Sequence, residues 1–164
     1  VQSLVPKPRS SSEILAFSIP AASAGHEAQL TYHEASLRQY FTSLGYKAMA
    51  INEGLAVIFS ELEDHNFTGI GVSCGGGMCN ATLAFLSIPT IMVSLPKAGD
   101  FIDRSVGEAV GEHATTVKPK GFRELFERTL RGRSFPIEVA EVRVATDPLT
   151  ATARGAHIAA MFEK

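Results

Sequence analysis

The sequence predicts an α/β protein in which helices flank a mixed sheet, and three observations favour this fold class. The first is a strand–helix–strand pattern from Glu13 to Ile51, whose crossover should be right-handed and whose strands should be parallel. The second is a glycine-centred hairpin that is followed by a third strand, from Phe67 to Leu95. The third is a helix, a strand and a final helix after Gly121, which continue the alternation that is typical of layered α/β folds.

Length and composition agree with a globular protein. The 164 residues are 45% hydrophobic and 20% charged, which is enough apolar material for a substantial core. A net charge of −2 and a pI near 6.2 give no basic surface of the kind that binds nucleic acid. No apolar run approaches the roughly 18 to 20 residues of a transmembrane helix. The start shows no signal-peptide hydrophobic region, so a cytoplasmic location is expected.

The first part of the chain divides into a flexible start over residues 1–12 and a β-α-β-α segment over residues 13–66. Apolar residues at helical spacing follow Glu27, and Gly45 supplies the stop signal for that helix. The expected elements are a strand over 13–19, a helix over 27–44, a strand over 46–51 and a helix over 54–61.

Residues 67–113 are expected to form a three-strand meander and a helix. Gly75, Gly76 and Gly77 lie between two strand-like runs, which favours the tip of a β-hairpin. Glycine permits positive φ, and without a Cβ its backbone N–H groups can converge on an anion. No Gly-Lys-Ser/Thr sequence follows and no helix opens there, so the loop is neither a Walker loop nor a dinucleotide fingerprint. A glycine-rich turn without a ligand is the alternative.

Two acidic positions accompany the glycine loop. Glu53 lies at a strand-to-helix junction, and Asp100 lies at the start of the helix after the third strand. A carboxylate there can accept hydrogen bonds from unpaired backbone N–H groups, so ordinary capping explains each residue taken singly.

The last part of the chain is expected to contain a junction or a missing segment over residues 114–120 and a helix–strand–helix unit over residues 121–164. The expected elements are a helix around 122–130, a strand over 137–144 and a helix over 148–161, with Pro148 in its first turn.

The two cysteines, Cys74 and Cys79, flank the glycine loop and should face each other across the hairpin. A disulfide or a metal site is compatible with this spacing, but no second cysteine pair or histidine pair accompanies them. Reduced structural thiols are favoured, because cytosolic proteins rarely keep disulfides.

Taken together, these motifs resemble the ATPase core of the actin and Hsp70 superfamily, and most closely the bacterial rod-shape (MreB-like) actin homologues. Four segments carry the resemblance in the order of that family. They are 51–60 (INEGLAVIFS), 73–80 (SCGGGMCN), 98–103 (AGDFID) and 147–155 (DPLTATARG). The resemblance implies a ribonuclease-H-like actin/Hsp70 fold, of which this chain is a part.

The resemblance also implies a function and a set of site residues. The protein would bind ATP or ADP with Mg²⁺, hydrolyse ATP, and self-assemble into cytoskeletal filaments that act in cell shape. Glu53 matches the catalytic residue that orients the attacking water, and Ser73 matches the position that contacts the metal or its water shell. The matching phosphate-binding residues are Gly75, Gly76, Gly77 and Met78. The matching helix start near the nucleotide contains Gly99, Asp100 and Asp103.

Three departures from the family pattern support alternatives. No glycine precedes Glu13, so the first phosphate loop is lacking, and Ser73 stands where bacterial members usually have aspartate. Residues 113–120 replace a long insertion with the adenosine loop, and we expect a missing segment around 114–118 or a shortened protein. The first alternative is a catalytically weak actin-fold scaffold or assembly factor. The second is a sugar-kinase-like or acetate-kinase-like phosphotransferase, for which no acceptor-activating aspartate can be assigned.

Overall fold

The computed structural model describes residues 5–22, 27–110, 121–132 and 137–163. Its first elements alternate between strand and helix, and a short 3-10 turn over Glu63–His65 precedes the meander. In chain order the elements are β1 (Ile14–Ile19), α1 (Glu27–Ser43), β2 (Lys47–Asn52), α2 (Glu53–Glu61), β3 (Gly69–Cys74), β4 (Cys79–Phe85), β5 (Ile88–Leu95), α3 (Gly99–Val110), α4 (Phe122–Leu130) and α5 (Ala151–Phe162).

The strands form two sheets. β1 and β2 are parallel, in register from Ile14 opposite Lys47 to Ile19 opposite Asn52, which confirms the predicted β-α-β unit. β3, β4 and β5 form the predicted antiparallel meander. Parallel and antiparallel pairing are therefore both present. In the described ranges they lie in two separate sheets and not in the one mixed sheet that the sequence predicts. Helix α2 packs against strands of both sheets.

Helix α2 is the central element of the core. The side chain of Asn52 caps its start by accepting hydrogen bonds from the backbone N–H groups of Gly54 and Leu55. Its inner face packs on β1, β2 and α5, and burial of these apolar side chains is the main favourable term in folding. The buried cluster contains Ile51, Ala56, Phe59, Ala156 and Ala159, with Ala16, Met49, Leu55, Phe67 and Ile158 packed against it.

Glycines let the backbone of α2 approach its neighbours on two sides. A Cβ added to Gly155 of α5 would overlap the carbonyl oxygen of Ala56, and one added to Gly71 of β3 would overlap the carbonyl oxygen of Gly54. These are close backbone approaches that only glycine allows. Helix α2 is therefore held between α5 and β3 by direct backbone contact.

The predicted strand over 137–144 is wrong. Residues 137–145 carry no strand ladder, and Ile137 and Val144 remain exposed. The alternating pattern is present, but a strand also needs a partner, and a cavity of about 720 Å³ separates this segment from β3. The segment is held instead by polar contacts, from Arg143 to Asp64 and from Thr146 to Glu61.

The last helix begins at Ala151, three residues later than the sequence predicts. Pro148 lies in a preceding turn, where the Asp147 carboxylate accepts hydrogen bonds from the Leu149 N–H at 3.2 Å and the Thr150 hydroxyl at 2.7 Å. This local side-chain bonding competes with helix formation and delays its start. The helix around 122–130 is confirmed as α4. Within the described ranges, no helix combines the length and the apolar character that crossing a membrane requires.

Candidate functional site

The candidate site lies where the carboxyl ends of β1 and β2 meet the start of α2 and the β3–β4 hairpin. Ala21 follows β1, Asn52 ends β2, and Glu53 opens α2. In open α/β folds the carboxyl ends of parallel strands are the usual place for ligands, because the loops there surround a crevice. The topology therefore brings the predicted Glu53 and the predicted glycine hairpin to the same edge of the molecule.

Glu53 is fixed by two side chains of the hairpin. Its Oε2 accepts a hydrogen bond from Asn80 Nδ2 at 2.8 Å and from Ser73 Oγ at 3.3 Å. Ser73 and Asn80 are register partners on β3 and β4, so they present both donors from one face of the hairpin. The other carboxylate oxygen, Oε1, accepts no hydrogen bond from any residue that the structure describes. One oxygen is thus anchored while the second is available to a ligand or a water molecule.

Asn80 was not among the residues predicted for the site. It is buried, and its Oδ1 accepts a hydrogen bond from the Ala21 N–H at 3.0 Å while its Nδ2 donates to Glu53. A single amide therefore ties the end of β1 to the start of α2 through β4. The available signal was that Asn80 and Thr82 alternate along a strand that is otherwise apolar, which places two polar side chains on one buried face.

A second polar contact joins Thr82 of β4 to Asn52 at the end of β2. The hydroxyl of Thr82 donates to Asn52 Oδ1, which also accepts the two capping bonds of α2. Both side chains are buried. The Nδ2 of Asn52 has no partner among the described residues. The N-cap of α2 is thereby attached to β4, and the position of Glu53 follows from that attachment.

The glycine tip, residues 75–77, is exposed and carries unpaired donors. Gly75 donates its N–H to the Met78 carbonyl at 3.0 Å, whereas the N–H groups of Gly76, Gly77 and Met78 donate to nothing in the described ranges. Successive unpaired N–H groups are suited to an anion. None of the three glycines has positive φ. Their lack of a Cβ matters for packing instead.

That packing is against the start of α3. Gly99 N–H donates to the Gly75 carbonyl at 3.0 Å, and Asp100 N–H donates to the Gly76 carbonyl at 2.8 Å. A Cβ on Gly76 would lie 3.1 Å from Asp100 Oδ1, whereas a Cβ on Gly77 would meet nothing within 4 Å. The structure thus places Gly99 and Asp100 beside the tip. Asp103 lies one turn later and makes no polar contact within the described part.

Cys74 and Cys79 face each other across the hairpin, as the sequence predicts. Their sulfur atoms are 2.9 Å apart and both thiols are free. The hydrogen bond between the two sulfurs lowers the pKa of Cys79 to about 7 and raises the pKa of Cys74. No set of three or more His, Cys, Asp or Glu side chains in the described ranges is arranged to hold a metal ion.

The cavity of about 720 Å³ lies along β3. It is lined by α2, β3, α4 and residues 137–145, and Ser73 is among its lining residues whereas Glu53 and Asn80 are not. The cavity therefore reaches the polar cluster only at Ser73, and the glycine tip lies outside it.

Comparison of the sequence with family models gives a match to volactin over residues 1–119 and 114–160. The chain belongs to the volactin family. The two matched segments overlap at 114–119, within the predicted junction over 114–120, and those residues lie outside the described ranges. The division of the chain into segments stays a prediction. No curated protein matches this volactin.

Solved structures show which fold the volactin chain has. The ethanolamine utilization protein EutJ from Carboxydothermus hydrogenoformans matches with a TM-score of 0.52 and 16% identity, over 90% of this chain and 66% of that one. MreB5 of Spiroplasma citri, crystallised with ADP, matches with a TM-score of 0.44 and 12% identity, over 85% of this chain and 33% of that one. The match to EutJ shows that the chain has part of an actin-like fold, and the chain spans less than two thirds of either neighbour.

Proposed function

We propose that this volactin is an actin-like protein that binds ATP with Mg²⁺ and hydrolyses it, and that the described site is one half of its phosphate clamp. The observation that carries the proposal is the glycine tip, whose three consecutive unpaired N–H groups lie in the chain between Ser73 and Asn80, the two residues that hold the Glu53 carboxylate. Fixed backbone donors together with a positioned carboxylate are what phosphoryl transfer requires of a protein, because its catalysis is mostly positioning and electrostatics.

The tip residues would bind the phosphates. The N–H groups of Gly76, Gly77 and Met78 point to an anion as ligand because they have no protein acceptor in the described ranges. Open space beside Gly77 would let a phosphate approach the backbone closely. The Asp100 carboxylate beside Gly76 adds negative charge to this region, so a bound phosphate would need a cation to offset it.

The residues present fit Mg²⁺ that is held through phosphates and water. The described ranges offer no cage of three acidic or imidazole ligands, and Mg²⁺ bound to nucleotides commonly keeps several waters. Ser73 and Asp100 would contact that water shell, and Mg²⁺ would supply charge neutralisation when bound. Glu53 would use its unbonded Oε1 to orient the attacking water, while Asn80 holds Oε2 in place.

The proposal is tested by equilibrium titration with a fluorescent ATP analogue across the series Gly77→Ala and Gly77→Val. Neither substitution meets a protein atom near Cβ, so the fold should be kept, and circular dichroism checks this. We expect affinity to fall with side-chain size, by about tenfold or more for valine, since losing one or two charge-assisted hydrogen bonds costs about 1.5–3 kcal/mol each. A folded Gly77→Val protein with unchanged affinity would remove the tip from the site.

A second candidate function is a nucleotide-binding scaffold with weak hydrolysis. The observation that favours it is Ser73, a neutral hydroxyl whose bond is to Glu53, in the position where the resemblance expects an acidic side chain. Ser73→Asp would add a hard anionic oxygen, the ligand type that Mg²⁺ prefers.

Single-turnover ATP hydrolysis against Mg²⁺ concentration distinguishes the two functions. For a scaffold, we expect slow turnover by the natural chain and an increase of about tenfold in Ser73→Asp. Ser87→Asp, in the exposed turn between β4 and β5, is the control for added charge. Fast turnover by the natural chain without a gain in the variant would exclude the scaffold. Filament formation, a role in cell shape and a cytoplasmic location stay predictions that follow from the resemblance.

A further inference from the structure

The two cysteines occupy a pair position with a defined geometry. Gly75 and Met78 close the hairpin through one hydrogen bond, from the Gly75 N–H to the Met78 carbonyl oxygen at 3.0 Å, and so occupy the position of a hydrogen-bonded pair. Hydrogen-bonded and non-hydrogen-bonded pairs alternate along antiparallel strands, so Cys74 and Cys79 form a non-hydrogen-bonded pair. Such pairs bring their Cα atoms to about 4.5 Å and their side chains closer than the other kind.

This geometry suits a covalent bond between the two sulfurs. A Cα separation of about 4.5 Å is within the range of roughly 4.4–6.8 Å that disulfides span. The sulfurs already lie 2.9 Å apart. Neither strand has to move along the other for the bond to form, and the fold has already brought the two groups together.

The two cysteines are also accessible, and the Cys79 thiol is reactive. Cys74 is exposed and Cys79 is half-buried at the outer end of the hairpin. The Cys74 thiol stabilises the thiolate of Cys79, whose pKa is lowered to about 7, and a thiol with a pKa near ambient pH is close to the optimum for attack on a disulfide. A buried structural cysteine has neither property.

We propose that Cys74 and Cys79 form a redox-active dithiol site that exchanges with low-molecular-weight disulfides and closes to a reversible cross-strand disulfide at the base of the glycine tip. Cys79 thiolate attacks one sulfur of the small disulfide, forms a mixed disulfide and releases the first small thiolate. Cys74 loses its proton to solvent, attacks the Cys79 sulfur and releases the second small thiolate. Two electrons pass from the protein to the small disulfide, which becomes two thiols after protonation.

In the test, the chain is equilibrated in a series of buffers that differ in their ratio of reduced to oxidised glutathione. The exchange is quenched with acid, the remaining thiols are alkylated, and the masses are measured. Trypsin leaves both cysteines in one peptide, Ala48 to Lys97, because no Lys or Arg lies between its ends. We expect this peptide to lose two hydrogens and to accept no alkyl group as the oxidised fraction of glutathione rises. In Cys74→Ser and Cys79→Ser the remaining cysteine should instead carry one glutathione.

A second experiment tests whether the folded structure brings the two cysteines together. The equilibrium constant for closing the disulfide should be at least about tenfold larger in native buffer than in denaturing urea, where the six-residue segment closes as a flexible chain. An equal or smaller constant in the native state overturns the proposal, and so does a native protein that accumulates two glutathiones per chain. No nucleotide is used, so failure of this test is distinguishable from failure of the proposed ATP site.

Discussion

Glu53 is half-buried and is held by one strong and one weaker contact. Asn80 donates at 2.8 Å from a buried position, whereas Ser73 donates at 3.3 Å from a half-buried one. Asn80 is in turn fixed by Ala21 at its other end. The orientation of the carboxylate therefore depends more on Asn80 than on Ser73.

Replacement of Glu53 separates binding from chemistry. We expect Glu53→Ala to leave ATP affinity within about twofold and to slow hydrolysis by about 100-fold, because a positioned general base or water-orienting group contributes on that scale. The measurements are equilibrium titration and single-turnover hydrolysis. Glu63→Ala, which removes an exposed carboxylate from the 3-10 turn, is the matched control. Equal losses of affinity and rate in Glu53→Ala would contradict the role.

Some residues of the candidate site could be predicted from the sequence, and others could not, for a physical reason. Glu53, Ser73 and the glycines are recognisable because each lies in a local pattern of a strand end, a helix start or a hairpin. Asn80 acts through partners 27 and 59 positions away in the chain, and no local pattern reports such contacts. The φ angles of the glycines also depend on how the tip packs on α3, which follows from tertiary structure.

Among the elements, the turn between β4 and β5 carries backbone strain. Leu86 and Ser87 have φ of 49° and 67°, both in the left-handed region. A two-residue hairpin of this kind favours Asn-Gly, because residues with a Cβ pay for positive φ. The turn persists because the Leu86 N–H donates to Thr68 Oγ1 at 2.9 Å and the Ser87 N–H donates to the Phe67 carbonyl at 3.1 Å.

Relief of that strain should stabilise the protein. We expect Leu86→Asn combined with Ser87→Gly to raise stability by about 1 kcal/mol and the melting temperature by about 2–4 °C. Both backbone N–H bonds are kept in the variant. Leu86→Ala combined with Ser87→Ala retains the positive-φ cost and serves as the control. Thermal unfolding followed by circular dichroism measures the change, and a variant less stable than the alanine control would contradict it.

The elements were predicted well where periodicity and stop signals are strong, as in α1 with Gly45 after it and in the meander around the glycine tip. The segment 137–144 shows the limit of this reasoning. Its alternating apolar residues fit a strand, but pairing is a property of two segments, and β3 offers it no ladder across the cavity. Similarly, the packing of α2 against strands of both sheets is a tertiary property, which the sequence pattern does not report.

On the scale of the whole molecule, Glu61 joins three parts of the chain. Its carboxylate accepts hydrogen bonds from Ser60, from the N–H and hydroxyl of Thr146, and from Arg154 of α5. Burial alone would raise its pKa, but these hydrogen bonds and the Arg154 charge together lower the pKa of Glu61 below its ordinary value of 4.5. A carboxylate with a depressed folded-state pKa stabilises the fold above its unfolded-state pKa, and this contribution is lost as pH falls through the folded value.

The pH dependence of stability should therefore reflect the hydrogen bonds of Glu61 and its pairing with the Arg154 charge. Between pH 7 and pH 5 we expect Glu61→Gln to be less stable than the natural chain by about 1 kcal/mol. The difference should shrink as pH falls below 4.5, because the natural carboxyl is then protonated as well. Urea unfolding at a series of pH values measures it, with the exposed Glu63→Gln as control. A difference that stays constant down to pH 3 would show that Glu61 acts through packing instead of charge.

The glycine contacts of α2 restrict how the molecule can change shape. A shear motion requires packed elements to slide, and a shift of α2 by even one residue along its axis, about 1.5 Å, would drive backbone into backbone at Gly71 or Gly155. Sliding of α2 against α5 or against β3 is therefore blocked at these two glycines. Among the described residues, two backbone hydrogen bonds attach the tip over residues 75–77 to α3. We expect a change of shape at the site to involve these two hydrogen bonds, because α2, which begins with Glu53, is held between α5 and β3.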